Sequence, residues 1–222
     1  MNKRLSKELM SMYERLFARF GPQHWWPGRT KTEIAIGAIL TQNTNWENVK
    51  KAIANLRRER LLDFNALDRM SAEQIAPLIR SSGYYNIKAK RLKNFIDFFQ
   101  REYKGSWAKA KRESLPVLRE KMLAVNGVGP ETVDSILLYA MDLPIFVVDA
   151  YTKRLLAQHR LMTPDADYHA VQRLFMDNIP SDVQLYNEFH GLIVRAAKEH
   201  CHPKPSCQGC PLKTPKFKPK SS

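Results

Sequence analysis

A glycine turn and a lone aspartate are the residues of this sequence whose types and spacing suggest chemistry. They lie in VNGVGPETVDSILLYAMDLPIFVVDAY, which runs from Val125 to Tyr151. Gly127 and Gly129 can adopt backbone angles closed to other residues, and Pro130 suits the first position of a following helix. The amides at such a helix N-terminus bind anions, so the turn predicts a phosphate site. An ordinary tight turn between two helices is the alternative.

Asp149 follows the apolar residues PIFVV and precedes the helical pattern AYTKRLLAQH. Aspartate is a favoured N-cap residue, and N–H bonds to its carboxylate favour the ionised form. An ionised carboxylate beside a sugar stabilises the positive charge that develops when a glycosidic bond breaks. The capping role and the chemical role are compatible, so we expect Asp149 to fill both.

The charge of the chain favours a polyanionic partner, and its hydrophobic periodicity favours an all-α fold. The 222 residues carry 36 Lys and Arg against 22 Asp and Glu, a net charge of +14, which suits phosphate contacts. No run approaches the roughly 20 apolar residues that cross a bilayer, so no membrane partner is expected, and we predict a cytoplasmic monomer, nucleoid-associated if bacterial. Helical periodicity recurs almost throughout, and PIFVV is the best, short candidate for a strand.

Several segments in the same order resemble the helix-hairpin-helix DNA glycosylases (the HhH-GPD superfamily), to which endonuclease III belongs. The hairpin GVG, the helix ETVDSILLYA and the dipeptide Val148-Asp149 carry the resemblance, which extends from about Trp25 to Cys210. It implies a six-helix barrel domain containing the hairpin at residues 29–142. It also implies a second helical domain from residues 1–28 and 143–210, a basic tail at 211–222, and a cleft between the domains for DNA and a flipped base.

In this family the aspartate is the catalytic carboxylate, and bifunctional members carry a lysine two positions after the second hairpin glycine. Here that position is Glu131, which cannot form a Schiff base, so a monofunctional enzyme that uses water is predicted. Lys121 and Lys153 lie nearby in sequence and leave weak lyase activity open. The residues expected to hold the DNA backbone are Gly127, Val128, Gly129, Thr132, Lys88, Lys90 and Arg91.

Two further segments resemble the loops with which the family opens the duplex. LTQNTNWENV makes Gln42 the candidate to enter the space that the base leaves, and SGYYNIKAKRL makes Tyr84 the candidate wedge between bases. Helix capping is the alternative for Gln42, and a core position is the alternative for Tyr84.

Three tryptophans favour the 3-methyladenine glycosylase branch of the family. Trp25, Trp26 and Trp46 match places where that branch stacks aromatic rings on the flipped base. Alkylated purines are cationic, and a ring face attracts cations by about 0.5–2 kcal/mol. Ordinary packing is the alternative for these rings, and oxidised pyrimidines are the competing substrate class.

The segment CHPKPSCQGC resembles the C-terminal iron–sulfur loop of endonuclease III relatives, which uses four cysteines. Cys201, Cys207 and Cys210 are present, and Lys216 falls where the fourth would be. A [4Fe–4S] cluster normally has four thiolates, so three outcomes stay open: a cluster with an unusual fourth ligand, zinc bound with His200 or His202, or no metal.

The expected function is that of a DNA repair glycosylase acting in base excision repair. It would hydrolyse the N-glycosidic bond of a damaged base, an alkylated purine, flipped out of double-stranded DNA. The alternatives are a bifunctional endonuclease III-like glycosylase and lyase for oxidised pyrimidines, and a non-catalytic helix-hairpin-helix protein that binds DNA.

Overall fold

The computed structural model describes residues 3–202 and 204–213, and it is built of helices joined by loops. Position 216 and the end of the predicted tail lie outside these residues. None of the described residues forms a strand, which confirms the all-α prediction. The segment PIFVV is an irregular connection whose residues from Ile145 to Val148 are buried.

The helices follow one another with short connections. In chain order they are α1 (Lys3–Phe20), α2 (Lys31–Leu40), α3 (Trp46–Arg58), α4 (Phe64–Asp68), α5 (Ala72–Ile75), the 3-10 helix Ala76–Ser82, α6 (Tyr85–Tyr103), α7 (Trp107–Ala110), α8 (Leu115–Leu123), α9 (Pro130–Ser135), which continues as the π-helical turn Ile136–Ala140, then α10 (Ala150–Gln158), α11 (Tyr168–Met176) and α12 (Val183–Glu199). Among the described residues, none of these helices combines the length and apolar character needed to cross a lipid bilayer.

The chain divides into two compact units, which are described separately. The central unit is Pro27–Leu143, and the terminal unit combines Met1–Trp26 with Pro144–Ser222 as far as they are described. The central unit therefore contains the hairpin, and the terminal unit contains Asp149.

The core of the central unit is organised by α2 and α6. Helix α2 is apolar enough to be buried nearly throughout, and Thr30 caps it by accepting a hydrogen bond from the Glu33 amide. Helix α6 buries a stripe at three- and four-residue spacing, as its sequence predicts. The fully buried members of that stripe are Leu92, Phe95, Ile96 and Phe99.

An aromatic cluster in the terminal unit packs around the connection that leads to Asp149. The Phe146 ring stacks on Phe175 at 3.9 Å between centroids and lies edge-on to Tyr186 and Phe189 of α12. Burying such a ring contributes roughly 1.5–3 kcal/mol. This packing fixes the end of the apolar connection and hence the start of α10.

Candidate active site

The predicted hairpin joins α8 to α9 in the central unit. Gly127 has a φ of +88°, a value that favours glycine, and the Val128 amide donates to the Val125 carbonyl to close the turn. Pro130 begins α9, as expected. Gly129 has a φ of −89°, which any residue adopts, so the predicted need for glycine's backbone freedom is wrong at that position. What Gly129 offers is open space, since a Cβ there would meet nothing within 4 Å.

The amide of Gln42 bonds to both ends of the hairpin. Its Nε2 donates to the Gly127 carbonyl at 3.1 Å and to the Thr132 hydroxyl at 3.0 Å, while its Oε1 accepts from Arg91 Nη1 at 2.5 Å. All three partners lie in the central unit. Because the amide nitrogen donates to two of them and the amide oxygen accepts from the third, the amide has one defined orientation. Insertion of Gln42 into DNA stays a prediction, and it would require these bonds to break.

Two of the residues predicted to hold DNA instead build the hairpin. The side chains of Val128 and Thr132 are 4% and 6% exposed, so they face the core rather than a ligand. The Thr132 hydroxyl is committed to Gln42, and the Val128 amide is committed to the turn. These two side chains therefore shape the loop.

Lys88 corrects the prediction of a phosphate contact. Its side chain is 1% exposed, and the ammonium donates to the carbonyls of Leu40 and Ser82 at 2.8 and 2.5 Å. Burial, with a smaller effect from the Arg91 charge, lowers the pKa of Lys88 to about 8. The residue joins the end of α2 to the end of the 3-10 helix and cannot reach a phosphate, so the prediction is wrong. Lys90, two residues further along α6, is exposed, and its contact with a phosphate stays a prediction.

Tyr84 projects into solvent at the N-terminus of α6. It is 67% exposed, which rules out the core alternative, and its φ is +46° directly after Gly83 at +69°. Ile87, three residues on, is 52% exposed and was missed by sequence reasoning. An apolar residue that interrupts the polar face of a helix was the available signal. The two side chains form an exposed apolar tip, the position that a wedge requires.

Asp149 caps α10 in the terminal unit, as predicted. Its Oδ1 accepts hydrogen bonds from the backbone N–H and the hydroxyl of Thr152, at 2.7 and 2.9 Å. Its Oδ2 lies 3.5 Å from Nε2 of His190, whose side chain is 4% exposed. The Asp149 side chain keeps 13% of its surface exposed.

The surroundings of Asp149 favour the ionised carboxylate. Burial alone would raise the pKa of this carboxyl group. The nearby charge of His190 and the two hydrogen bonds from Thr152 outweigh burial and lower the pKa below its usual value. The electrostatic part of this effect requires a protonated imidazole.

His190 is a site residue that sequence reasoning missed. The neighbouring Gly191 leaves the space that lets Trp25 pack beside His190. A Cβ on Gly191 would lie 2.8 Å from the Cβ of Trp25, so only glycine lets this tryptophan pack against α12. The Trp25 ring then lies edge-on to the His190 imidazole at 6.0 Å between centroids. A glycine inside an apolar helical pattern was the sequence signal for a close approach.

The other tryptophans of the predicted base pocket are partly exposed. Trp26 ends the N-terminal segment of the terminal unit with a φ of +70°, and Trp46 is the first residue of α3 in the central unit. Asn45 caps that helix through the Asn48 amide, as predicted. Stacking of these rings on a base stays a prediction.

The position of the family's nucleophilic lysine carries no amine here. Glu131 is exposed in the first turn of α9, and its carbonyl accepts a hydrogen bond from the Ser135 hydroxyl at 2.7 Å. Lys121 is bonded to Glu113 at 2.6 Å, and this hydrogen bond is the main reason why its pKa is raised. A protonated lysine is not a nucleophile, which disfavours Lys121 as a substitute.

The cysteine loop does not fit a four-thiolate cluster in the part of the chain that the structure describes. Within those residues, no three His, Cys, Asp or Glu side chains are arranged to hold a metal ion. Burial is the main cause that raises the pKa of Cys201 to about 12 and that raises the pKa of Cys210. A bound metal ion would itself deprotonate the thiols that coordinate it, so these pKa shifts do not decide whether the loop binds one, and no chemical step is assigned to a metal or cluster.

Hydrogen bonds hold this loop in the structure. Arg15 of α1 donates to the Lys213 carbonyl at 3.0 Å, and Gln158 of α10 donates to the His202 carbonyl at 2.8 Å. Nδ1 of His200 lies 3.0 Å from the Ser206 carbonyl, so this ring nitrogen is engaged within the loop.

Comparisons with known proteins agree with these features. The profile of the HhH-GPD superfamily, described as base excision DNA repair proteins, matches residues 36–181. The chain is 44% identical over 207 residues to MJ1434 of Methanocaldococcus jannaschii, whose name as a DNA repair glycosylase is provisional, covering 92% of this chain and 94% of that one. It is 28% identical to endonuclease III of Thermotoga maritima, covering 81% of this chain and 79% of the relative.

Solved structures give the same fold. The H. pylori 3-methyladenine DNA glycosylase MagIII, bound to 1,N6-ethenoadenine, superposes with a TM-score of 0.73 at 31% identity, covering 88% of this chain and 96% of that chain. A non-covalent endonuclease III–DNA complex superposes with a TM-score of 0.79 at 21% identity, covering 93% and 92%, and supports the fold alone. The chain belongs to the HhH-GPD superfamily of base excision DNA repair proteins and is a DNA repair glycosylase of that family.

Proposed function

We propose that this protein is a monofunctional DNA glycosylase that releases an alkylated purine from double-stranded DNA by hydrolysis, acting as a cytoplasmic monomer. The observation that carries the proposal is the Asp149 carboxylate, capped on one oxygen by Thr152, partly exposed, and held in its ionised form. The product would be an abasic site with both strands intact.

In the proposed reaction, Asp149 stabilises charge. Breaking the bond between C1′ and the base nitrogen leaves an oxocarbenium-like sugar, and a fixed anion lowers the energy of that transition state. A carboxylate with a lowered pKa is a weak general base, because efficient bases have pKa values near the working pH. We therefore assign Asp149 to electrostatic stabilisation and to orienting the water that adds at C1′.

An alkylated purine suits this arrangement for two reasons. Its base carries positive charge, so it leaves as a neutral molecule and needs no strong acid. The aromatic residues Trp25, Trp26 and Trp46 would stack on such a cation. The similarity to MagIII, which was solved with an ethenoadenine ligand, supports this substrate class.

The proposed DNA contacts come from the central unit. The hairpin amides around Gly129, which is open to solvent, would hold a phosphate, and the exposed Lys90 would contact another. Tyr84 would wedge between bases. Arg91 would act through Gln42 and the hairpin because its guanidinium is bonded there.

A panel of duplexes tests the proposal. The duplexes would carry 3-methyladenine, 7-methylguanine, thymine glycol or mismatched thymine, and each product would be analysed with and without alkali. Release of the methylated purines, with strand breakage only after alkali, supports the proposal. Release of thymine glycol with spontaneous strand breakage would instead identify an endonuclease III-like enzyme.

Two controls separate the mechanisms. Asp149→Asn is expected to bind the same duplexes while base release falls by about 10³-fold or more, a loss typical of a group that stabilises the transition state. Unchanged base release in this variant would refute the role of the carboxylate. Borohydride trapping on damaged DNA is expected to give no covalent adduct, and an adduct would refute the monofunctional mechanism.

A further inference from the structure

The imidazole of His190 is a buried titratable group near Asp149 that the proposed reaction has not used. His190 lies within α12, and its Nε2 is 3.5 Å from Oδ2 of Asp149. Among the groups that face it are Asp149 at the start of α10, Trp25 from the N-terminal segment and Phe146 from the apolar connection.

The two oxygens of Asp149 are held in different ways. Oδ1 has two donors from Thr152, which belong to the same helix turn and form with any N-capping aspartate. Both of those donors bind the same oxygen. Oδ2 lies 3.5 Å from Nε2 of His190, which is 41 positions away in the sequence and on another helix.

We propose that His190 is the positioning residue of this site: its Nε2, 3.5 Å from Oδ2 of Asp149, is placed to donate to that oxygen so that the carboxylate presents one fixed edge to the sugar. The role rests on the proposed function of Asp149. His190 itself is not expected to touch the substrate, because its side chain is only 4% exposed. Gly191 belongs to the same arrangement, since it admits Trp25 to the position that limits the imidazole.

The geometry makes the nature of the donor testable by substitution. His190→Phe keeps a planar ring among Trp25 and Phe146 but has no N–H. His190→Gln carries an amide nitrogen at the position equivalent to Nε2 and has no charge. A positioning role predicts that glutamine restores much of what phenylalanine loses.

The first measurement is the single-turnover rate of base release from a 7-methylguanine duplex. His190→Phe is expected to lower this rate about 100-fold, as expected when a reacting group is misplaced by about 1 Å. The dissociation constant for a duplex with a non-cleavable abasic-site analogue should stay within about two-fold, and His190→Gln should recover about ten-fold of the rate. A rate within about three-fold of the wild type in His190→Phe overturns the proposal.

The second measurement does not depend on activity. Carboxyl-carbon NMR is expected to show the Asp149 pKa higher in His190→Phe than in the wild type, and the acid limb of the rate profile should move to higher pH with it. A histidine that only fills space would lower the melting temperature without moving either value, and that result also overturns the proposal. If the phenylalanine variant does not fold, His190→Leu takes its place in both measurements.

The two hypotheses fail in different ways. If wild type and Asp149→Asn release the base equally, the proposed function of Asp149 is wrong whatever His190 does. If Asp149→Asn is inactive while His190→Phe has wild-type rate and an unchanged Asp149 pKa, only the positioning role is wrong.

Discussion

Gly127 and Arg91 occupy adjoining space so tightly that a side chain on the glycine would collide with the arginine. A Cβ on Gly127 would lie 2.3 Å from Cγ of Arg91, and the backbone there has a φ of +88°. Arg91 crosses the turn in this way to reach Oε1 of Gln42. Glycine is therefore required at position 127 for two reasons: the turn has left-handed backbone angles, and the Arg91 side chain crosses it to reach Gln42.

The two hairpin glycines should respond differently to alanine. Gly127→Ala is expected to lower the free energy of unfolding by about 1–2 kcal/mol from the backbone alone, with the displacement of Arg91 added. Gly129→Ala should leave stability within about 0.5 kcal/mol, because its φ is ordinary and its surroundings are open. Urea unfolding measures both values.

The affinity for undamaged duplex DNA tests the phosphate site at Gly129. A methyl group on Gly129 would stand where a phosphate must approach the amides, so we expect Gly129→Ala to bind DNA more weakly while remaining as stable as the wild type. Full DNA affinity in Gly129→Ala would contradict the phosphate site, and equal stability losses in the two variants would contradict the different backbone roles of the two glycines.

Gln42 and Arg91 should be energetically coupled through the hairpin. Gln42→Ala removes donors to Gly127 and Thr132, and Arg91→Ala removes the bond that orients the amide. In a double-mutant cycle of urea unfolding, the coupling energy is expected to be about 0.5–3 kcal/mol, the range for residues of one network. Additive losses would show that the bonds to Gln42 do not stabilise the loop.

Local patterns account for what the sequence predicted well. The helical stripe of α6 and the capping roles of Asn45 and Asp149 depend on neighbours within one turn, and each was confirmed. Lys88 was misjudged although the same periodicity places it on that stripe, four residues before Leu92. The charge of its head group was given more weight than its position.

Contacts between distant parts of the chain account for what the sequence missed. The pairing of His190 with Asp149 depends on how α12 packs beside α10, and no spacing in the sequence encodes it. The difference between the two hairpin glycines likewise depends on backbone angles and on the path of Arg91. Residue type alone could not distinguish these cases.

The exposed tip formed by Tyr84 and Ile87 should matter for duplex DNA and little for stability. Tyr84→Ala and Ile87→Ala are each expected to slow base release from a 7-methylguanine duplex, because unstacking a base step costs a few kcal/mol that an inserted side chain offsets. The effect should shrink on single-stranded substrate. Single-turnover rates on the two substrates measure it.

A matched control exists on another helix of the same unit. Val117 of α8 is 44% exposed and apolar, so Val117→Ala removes a similar surface outside the predicted wedge. It should leave both rates unchanged, and melting temperatures of all three variants should stay near that of the wild type. An equal loss on single strands and duplex would exclude a wedge.

Substitutions of Lys88 and Lys90, two positions apart, should affect different properties: Lys88 should affect stability and Lys90 DNA binding. Lys88→Met keeps the length of the side chain but leaves the carbonyls of Leu40 and Ser82 without the ammonium, at a cost of about 1–3 kcal/mol for each unsatisfied group. Lys90→Met should leave stability unchanged. It should reduce the salt dependence of DNA binding by about one phosphate contact.

The pH dependence of this stability difference has a definite sign. The pKa of Lys88 is about 8 in the folded protein and about 10.4 in an unfolded chain, so between these values the unfolded state binds more protons. The contribution of Lys88 to stability therefore rises as the pH increases from about 8 to about 10.4. Urea unfolding of wild type and Lys88→Met across this range should show a widening difference. A constant difference, or a loss of DNA affinity in Lys88→Met at full stability, would contradict the buried position of this ammonium.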